Sequence, residues 1–326
     1  MPSSITSSLS TNAEVDSFTD VLSNDRVRYQ RKGYGLVSAL LITCAFFLLL
    51  PTLFHQYYQQ FLGLWSSLEV GVIMGTVLLD VGVFWGLNMA MAGIYHIQHP
   101  FFEKYKTNLH PWPWVADPAE WTLSLKRTLW TLALNQMVML PVMLALTVYV
   151  EGVQLSVELR DFPTLGTLAA QVTFCMFIED LSFYFGHRIL HTRHLYHLIH
   201  KQHHEYTTTI GLASFYAHPF EFVFANMLPA ALGPKLLGSS CHLVTFWLWN
   251  ILRTAETIDG HCGYDFSWSP FRLLPLSGGA VYHDFHHSHN VGNFGSFFSL
   301  WDSVFNTNAC YFRYLAVQQK EQDKTA

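Results

Sequence analysis

Histidine is the residue type that stands out in this sequence by its number and by its spacing. The chain has 18 histidines, as many as its lysines and arginines together, and 14 of them lie between His187 and His289. Eight of these form an H-x-x-x-H pair and two H-x-x-H-H sets: His187 and His191, then His200, His203 and His204, then His283, His286 and His287. Such spacings place side chains on one face of a helix. Each motif therefore predicts a group of imidazoles that point the same way.

Clustered imidazoles without thiolates predict a site for a transition metal. They bind first-row metals, and iron is the member of that series that activates dioxygen, while zinc competes for the same ligands. One metal cannot use eight imidazoles, so the motifs predict two metals that share them. On one straight helix, His200 would lie about 140° around the axis from His187. The chain therefore either bends at residues 192–199 or uses the motifs for different metals.

Other polar residues near the motifs are candidates for supporting roles. We predict His261 as a ninth metal ligand and His218 as a residue that faces the ligands or the substrate. Carboxylates usually accept the second ring N–H of a metal-bound histidine, which fixes its tautomer. Four carboxylates are predicted to do so: Asp180, Glu221, Asp259 and Asp284. The sequence leaves the role of four further residues open: His194, His197, His289 and Asp80.

Long apolar runs must position these side chains. Four runs have about the length of one bilayer crossing and predict membrane helices, at residues 35–54, 70–95, 129–150 and 165–185. The stretch 220–252 is also apolar but is broken by proline and glycine, so it predicts a tight helical hairpin or a re-entrant pair. The predicted fold class is therefore all-α: a polytopic membrane protein with four to six membrane helices and a histidine-rich helical cap.

Composition agrees with a membrane protein. Only 13% of the residues are charged and 51% are apolar, whereas about 25% of the residues in soluble domains are charged. The net charge of −5 argues against a nucleic-acid partner, which would require a basic surface. Five cysteines without a C-x-x-C pair argue against a disulfide framework and against a thiolate zinc site.

Basic residues predict the orientation of the chain in the membrane. The connection at residues 55–67 has no lysine or arginine, whereas four basic residues precede the first run: Arg26, Arg28, Arg31 and Lys32. The positive-inside rule then places the N-terminus in the cytosol, and four crossings return the chain to that side at the motifs. We predict a disordered cytosolic tail at 1–33, membrane helices with a linker at 34–128, a catalytic domain at 129–307 and a cytosolic tail at 308–326.

The motifs resemble those of the fatty acid hydroxylase superfamily of membrane non-haem di-iron oxygenases. The likeness covers about residues 125–307 and is greatest to the C4-methylsterol monooxygenases. It is carried by H-R-I-L-H, H-K-Q-H-H and H-D-F-H-H, by Y-A-H-P-F-E at 216–221, by E-T-I-D-G-H-C-G-Y-D at 256–265 and by G-N-F-G-S-F-F at 292–298.

The resemblance implies an enzyme of the endoplasmic reticulum membrane that uses two irons, dioxygen and electrons from NAD(P)H through cytochrome b5 or a similar carrier. Its substrate would be a bilayer lipid, and in the sterol branch a C4-methyl group is oxidised towards the carboxylate. The iron ligands would be the eight motif histidines, and His261 matches a further family histidine. Residues 259–264 and 281–284 resemble sphingoid-base C4-hydroxylases. A sphingoid-base or fatty-acyl hydroxylase, or a desaturase, with the same metal site therefore stays open.

Overall fold

The computed structural model describes residues 33–107 and 110–325, and the predicted tail at 1–33 lies outside them except for Gly33. The described chain is helical, with isolated β-bridges in place of strands, so the predicted all-α class is confirmed. Four helices in it are long and apolar enough to cross a membrane: α1 (Gly33–Leu62), α2 (Leu68–Ile97), α3 (Pro118–Glu151) and α4 (Leu165–Leu190).

The outer faces of these helices are covered by apolar side chains. Leu41 in α1 is 65% exposed, and Trp130 and Val150 in α3 are 75% and 78% exposed. Soluble monomers rarely expose a contiguous apolar surface of this kind, because contact with water is unfavourable. The four apolar helices therefore indicate a membrane protein whose outer faces meet lipid.

Local sequence signals set where the membrane helices begin. Ser67 caps α2, since its Oγ accepts the backbone N–H of Val70 at 3.3 Å. Asp117 caps α3 in the same way, with Pro118 at the first helical position. As a consequence, α3 starts well before the apolar run at 129–150 from which it was predicted. The polar first turns of α3 project beyond the apolar part of the helix.

The chain turns sharply after the fourth membrane helix. α4 ends at Leu190, α5 occupies Arg193–Leu198, and a 3₁₀-helical segment follows at His200–Glu205. The bend predicted at residues 192–199 is therefore present. It brings His200 back towards His187, so that their Nε2 atoms lie 3.1 Å apart.

The stretch 220–252, which was predicted as a tight helical hairpin or a re-entrant pair, folds as two helices. α6 covers residues 219–237 and contains a π-helical segment at Phe222–Met227, and α7 is Leu243–His261. α6 packs closely on α4 at Gly233, where a Cβ atom would lie 2.8 Å from the Cα of Cys175. The indole N–H of Trp249 donates to the carbonyl of Ala230 at 2.8 Å and joins the two helices.

The elements not yet described, together with α5 and the 3₁₀ segment, form what we call the cap, which lies at the C-terminal end of α4. α8 is Gly279–His289, and α9, Ala309–Thr325, makes most of the predicted C-terminal tail helical. Hydrogen bonds attach the cap to the membrane helices, as two examples show. The Tyr95 hydroxyl of α2 donates to the carbonyl of Cys262 at 2.8 Å, and Thr128 of α3 shares a 2.7 Å hydrogen bond with the hydroxyl of Tyr206.

Candidate metal centre

The nine histidines predicted as metal ligands lie together where the ends of α4 and α7 meet the cap. Their ring nitrogens form two sets, and within each set one nitrogen of every member lies within 4.8 Å of the others. We call these set A and set B. Set A contains His187, His191, His200, His204 and His286. Set B contains His203, His261, His283 and His287. Rings of the two sets are in contact, since the ring centroids of His204 and His287 are 4.6 Å apart.

Two of the three sequence motifs are divided between the sets. His203 lies in set B although its motif partners His200 and His204 lie in set A. His286 lies in set A although His283 and His287 lie in set B. On α8 the first and last histidine of the motif are one turn apart on one face, and His286 is rotated by about 60° from His283. The prediction that all members of one motif point the same way therefore holds for the first motif and only for part of the other two.

Backbone carbonyls fix the tautomer of five of these rings. A carbonyl oxygen only accepts, so the Nδ1 atom facing it carries the proton and Nε2 keeps a free lone pair. The five Nδ1–carbonyl pairs are His187 with Phe294 (3.0 Å), His203 with Tyr216 (3.3 Å), His261 with Thr257 (2.7 Å), His286 with Gly292 (2.6 Å) and His287 with Tyr206 (3.1 Å).

The Nε2 atoms so defined face one another at short range. His203 and His261 have their Nε2 atoms 3.3 Å apart although both rings carry the proton on Nδ1. Two lone pairs then face each other, which a cation between them would stabilise. Across both sets the Nε2–Nε2 contacts measure 2.9 to 3.3 Å. Ligand nitrogens at about 2.1 Å from a metal have this kind of spacing, so the residues present fit a bound transition metal.

Burial keeps these imidazoles in the neutral form that binds metals. It lowers the pKa of His203 to about 4, and together with the charge of His203 it lowers the pKa of His191 to about 3. The pKa values of His286 and His287 also fall well below the usual range because of burial and neighbouring rings. At neutral pH these side chains therefore offer lone pairs without first losing a proton.

One predicted carboxylate contacts a ligand histidine directly. Glu221 Oε1 accepts the Nδ1–H of His200 at 2.8 Å, and both side chains are buried. Asp180 contacts two backbone N–H groups instead, those of Ser296 and Phe298, each at 3.1 Å. The prediction of a direct Asp180–histidine contact is therefore not met. Asp180 fixes the loop whose Phe294 carbonyl orients His187.

Each of the other predicted supporting residues has a hydrogen-bond or ion-pair partner that is not a ligand histidine. Asp259 pairs with Arg272 at 3.1 Å, because this buried guanidinium requires carboxylate partners. Asp284 accepts a hydrogen bond from the Thr209 hydroxyl at 3.0 Å. His218 caps α6, where its Nδ1 accepts the N–H of Phe220 at 3.2 Å. Three histidines with an open role are exposed and belong to neither set: His194, His197 and His289.

Exchange of Glu221 for glutamine tests the carboxylate beside His200. Glutamine can still accept a hydrogen bond but brings no charge, and changes to such partners typically cost about 10- to 100-fold in metal affinity or activity. We expect E221Q to lose iron to a chelator within that range, as measured by titration of the purified protein. The matched control is E158Q, an exposed carboxylate outside the cap. Equal iron retention by E221Q and E158Q would show that the contact does not support the site.

Two adjoining cavities connect the histidines with the membrane helices. The histidine-side cavity is lined by members of both sets, including His187 and His261, and by Phe183. The lipid-side cavity lies between α2, α3, α6 and α7 and is lined mainly by apolar side chains such as Leu144 and Phe246. Asn226 and Thr257 line both cavities. An apolar molecule in the lipid-side cavity would therefore lie next to the histidines.

The polar residues that line this route were not among the site residues predicted from the sequence. Asn226, Arg253 and Thr257 all line the lipid-side cavity. Arg253 is buried between Glu179 and Glu256, with contacts of 2.6 and 3.1 Å. The sequence did offer one signal for Arg253, because a charged residue directly after an apolar stretch requires a partner when it is buried.

Comparison with known proteins gives similarity over the same region. A family model described as fatty acid hydroxylase matches residues 172–307. Very-long-chain aldehyde decarbonylase GL1-8 of Oryza sativa subsp. indica is 45% identical over 165 residues, which are 50% of this chain and 60% of the relative. Methylsterol monooxygenase 2-2 of Arabidopsis thaliana is 45% identical over 160 residues, 48% of this chain and 59% of the relative.

A longer match reaches into the N-terminal membrane helices. Methylsterol monooxygenase 1 of Gallus gallus is 35% identical over 224 residues, which are 68% of this chain and 72% of the relative. The chain thus spans about 60% of the first relatives and nearly three quarters of this one. No solved structure matches the chain.

Proposed function

The chain belongs to the fatty acid hydroxylase family, and from this membership we propose that it oxidises a C4-methyl group of a sterol with dioxygen. The observation that carries the proposal is the pair of histidine sets, five and four nitrogens, beside a cavity that continues between apolar helices. Relatives named methylsterol monooxygenase at 45% and 35% identity support the sterol as substrate.

We propose that each set holds one iron. Set A would bind the first through the rings of α4, the 3₁₀ segment and α8, and set B would bind the second through the 3₁₀ segment, α7 and α8. When bound, iron supplies the reduction of dioxygen and the oxidation of an unactivated C–H bond. The protein contributes neutral, oriented imidazoles, whose Nδ1 atoms are held by five carbonyls and by Glu221.

The cavities suit a substrate that arrives from the bilayer. Apolar side chains of α3 and α6, such as Leu140 and Phe222, line the lipid-side cavity and exclude water from the hydrocarbon part of the lipid. Asn226 and Thr257 stand where this cavity meets the histidine-side cavity. A lipid bound there would place one carbon next to the histidines.

The proposed oxidation consumes electrons as well as dioxygen. We propose cytochrome b5 or a similar carrier, reduced by NAD(P)H, as the donor. We also propose that the enzyme resides in the endoplasmic reticulum membrane with the cap in the cytosol. The four apolar helices and the basic residues that precede α1 support this arrangement.

A sterol profile tests the proposed reaction. The chain is expressed in cells that lack their own C4-methylsterol oxidase, with the H286A variant as the inactive control. We expect the accumulated 4-methylsterols to fall only with the unaltered chain, and the first product to gain one oxygen atom. Unchanged 4-methylsterols together with new hydroxylated sphingoid bases would contradict the proposal and favour the sphingoid-base reaction. A product that has lost two hydrogens without gaining oxygen would indicate a desaturase.

A further inference from the structure

The lipid-side cavity contains one carboxylate among its lining residues. This carboxylate is Asp80 of the membrane helix α2. The helix has one other carboxylate, Glu69, in its first turn. The cavity's cationic lining residue, Arg253, is already engaged by Glu179 and Glu256. A carboxylate in such surroundings is costly unless its oxygens are hydrogen-bonded, so its presence requires a physical reason.

Only one oxygen of Asp80 is satisfied by the described protein. Oδ1 accepts a hydrogen bond from the Thr254 hydroxyl of α7 at 3.0 Å. Oδ2 is buried and has no hydrogen-bond partner in the described residues. The Gln136 side chain lies close enough to Asp80 to interact with its carboxylate, but its buried Nε2 makes no well-formed hydrogen bond in the described residues. Its Oε1 accepts from Trp85 at 3.0 Å.

An acceptor and a donor therefore lie close together without a well-formed hydrogen bond between them. A hydroxyl group is both a donor and an acceptor. It can donate to Asp80 Oδ2 and accept from Gln136 Nε2, which satisfies both groups at once. The remainder of the cavity is lined largely by apolar side chains, including Leu140, Leu144 and Phe246. This combination fits a lipid that is hydrocarbon apart from a single hydroxyl group.

The position of Asp80 relative to the histidines limits where that hydroxyl can be. Its partner Thr254 lies two turns before His261 on α7, a rise of about 10 Å. The His261 ring leans back along the helix, since its Nδ1 lies 2.7 Å from the carbonyl of Thr257. Its Nε2 atom is therefore closer to Thr254 than the backbone spacing suggests. The carbon that meets set B is therefore expected within about 10 Å of the hydroxyl group.

We propose that Asp80, held by Thr254, binds the hydroxyl group of the lipid substrate and thereby selects which carbon reaches the metal. Asp80 is then a specificity-determining residue. The inference rests on the proposed function, and a 4-methylsterol meets its requirement, because the 3-hydroxyl group is on the carbon next to the one that carries the methyl group.

Equilibrium binding of paired sterols tests this inference. The purified, iron-loaded protein in nanodiscs is titrated with a 4,4-dimethylsterol and with its 3-deoxy analogue. We expect the unaltered protein to bind the hydroxyl form about 10- to 100-fold more tightly, as is typical of a hydrogen bond to a charged group. D80L should bind both sterols equally. D80N, which keeps the shape and a neutral acceptor, should retain a preference of about 2- to 10-fold.

A matched carboxylate provides the control. Glu69 lies in the first turn of the same helix, outside the cavity lining, and E69Q should keep the full preference. The iron content of every variant is measured to show that the fold is intact. The inference is overturned if the unaltered protein does not distinguish the two sterols, or if D80L and D80N keep its preference.

The same titration separates this inference from the proposed function. N-acetylsphinganine, a lipid with hydroxyl groups near one end and no free amine, is added as a third ligand, and sterol turnover is measured in parallel. If the protein oxidises no sterol but binds N-acetylsphinganine in a manner that D80L abolishes, the hydroxyl site stands and the sterol reaction is refuted. If the protein oxidises the sterol but D80L binds it unchanged, the sterol reaction stands and the role of Asp80 is refuted.

Discussion

Alanine at His203 or at His286 is expected to abolish turnover and to reduce the iron content from two atoms per chain towards one. His203 belongs to set B and His286 to set A, so each variant removes a ligand from a different metal. Loss of a residue that only supports a ligand already costs about 10- to 100-fold. We therefore expect loss of a ligand itself to exceed about 100-fold. Iron analysis of the purified variants and oxygen uptake with a 4-methylsterol measure both effects.

His194 provides the matched control for these variants. It lies on α5 between the first two motifs, but its side chain is exposed and belongs to neither set. H194A should therefore keep the iron content and turnover of the unaltered chain. If H203A or H286A behaved like H194A, the assignment of the histidines to two metals would be wrong. If H194A lost iron as well, the exposed rings of α5 would have to be added to the site.

Replacement of Arg253 by methionine is expected to destabilise the protein by about 3–5 kcal/mol. The guanidinium lies 2.6 Å from Glu179 on α4 and 3.1 Å from Glu256 on its own helix. All three side chains are largely shielded from solvent. Without the arginine, two buried carboxylates lose their cation and face each other, which is why the cost is large. Unfolding of the detergent-solubilised protein by heat or denaturant measures the loss.

An exposed ion pair of the same type is the control. Arg127 contacts Glu120 at 3.3 Å, with both side chains more than half exposed. Pairs of this kind contribute about 0–1 kcal/mol, so R127M should change stability little. The triple variant R253M/E179Q/E256Q should recover part of the stability lost in R253M, because it removes the unpaired charges together. Equal stability of R253M and R127M would contradict the assigned role of Arg253.

The long apolar runs were sufficient to predict the membrane helices, and the histidine motifs with the segments around them were sufficient to predict the family. The three histidine motifs together predicted a metal site near the membrane surface, and the resemblance to fatty acid hydroxylases is confirmed. The division of the motifs between two sets was beyond the sequence. It depends on how the 3₁₀ segment and α8 pack, and it sends His203 and His286 to sets other than those of their motif partners.

The hydrogen-bond partners of the ligand histidines were predicted less well, because they too depend on tertiary packing. We expected carboxylates to hold the second ring nitrogens, and Glu221 does so for His200. Five other rings are held by backbone carbonyls, which every residue possesses and which no side-chain pattern can reveal. Asp180 and Asp259 were assigned to histidines by their sequence position. Tertiary packing instead gives Asp180 two backbone N–H groups and Asp259 a buried arginine.

The contacts of Asp80 in the membrane helices also could not be predicted from the sequence. Its charge identified it as exceptional, but the sequence did not distinguish a pairing role from a cavity lining. The structure gives it both, because the contact with Thr254 requires α2 and α7 to pack side by side. Contacts between elements that are 174 positions apart cannot be inferred from local spacing.

The central claim is that two irons held by nine histidines oxidise a sterol methyl group. It is tested most directly by measuring the iron content of the purified chain together with its oxygen uptake in the presence of a reduced electron carrier. We expect two irons per chain and oxygen uptake that depends on an added 4-methylsterol with a free 3-hydroxyl group. Protein that contains no iron, or oxygen uptake that the sterol does not change, would contradict it.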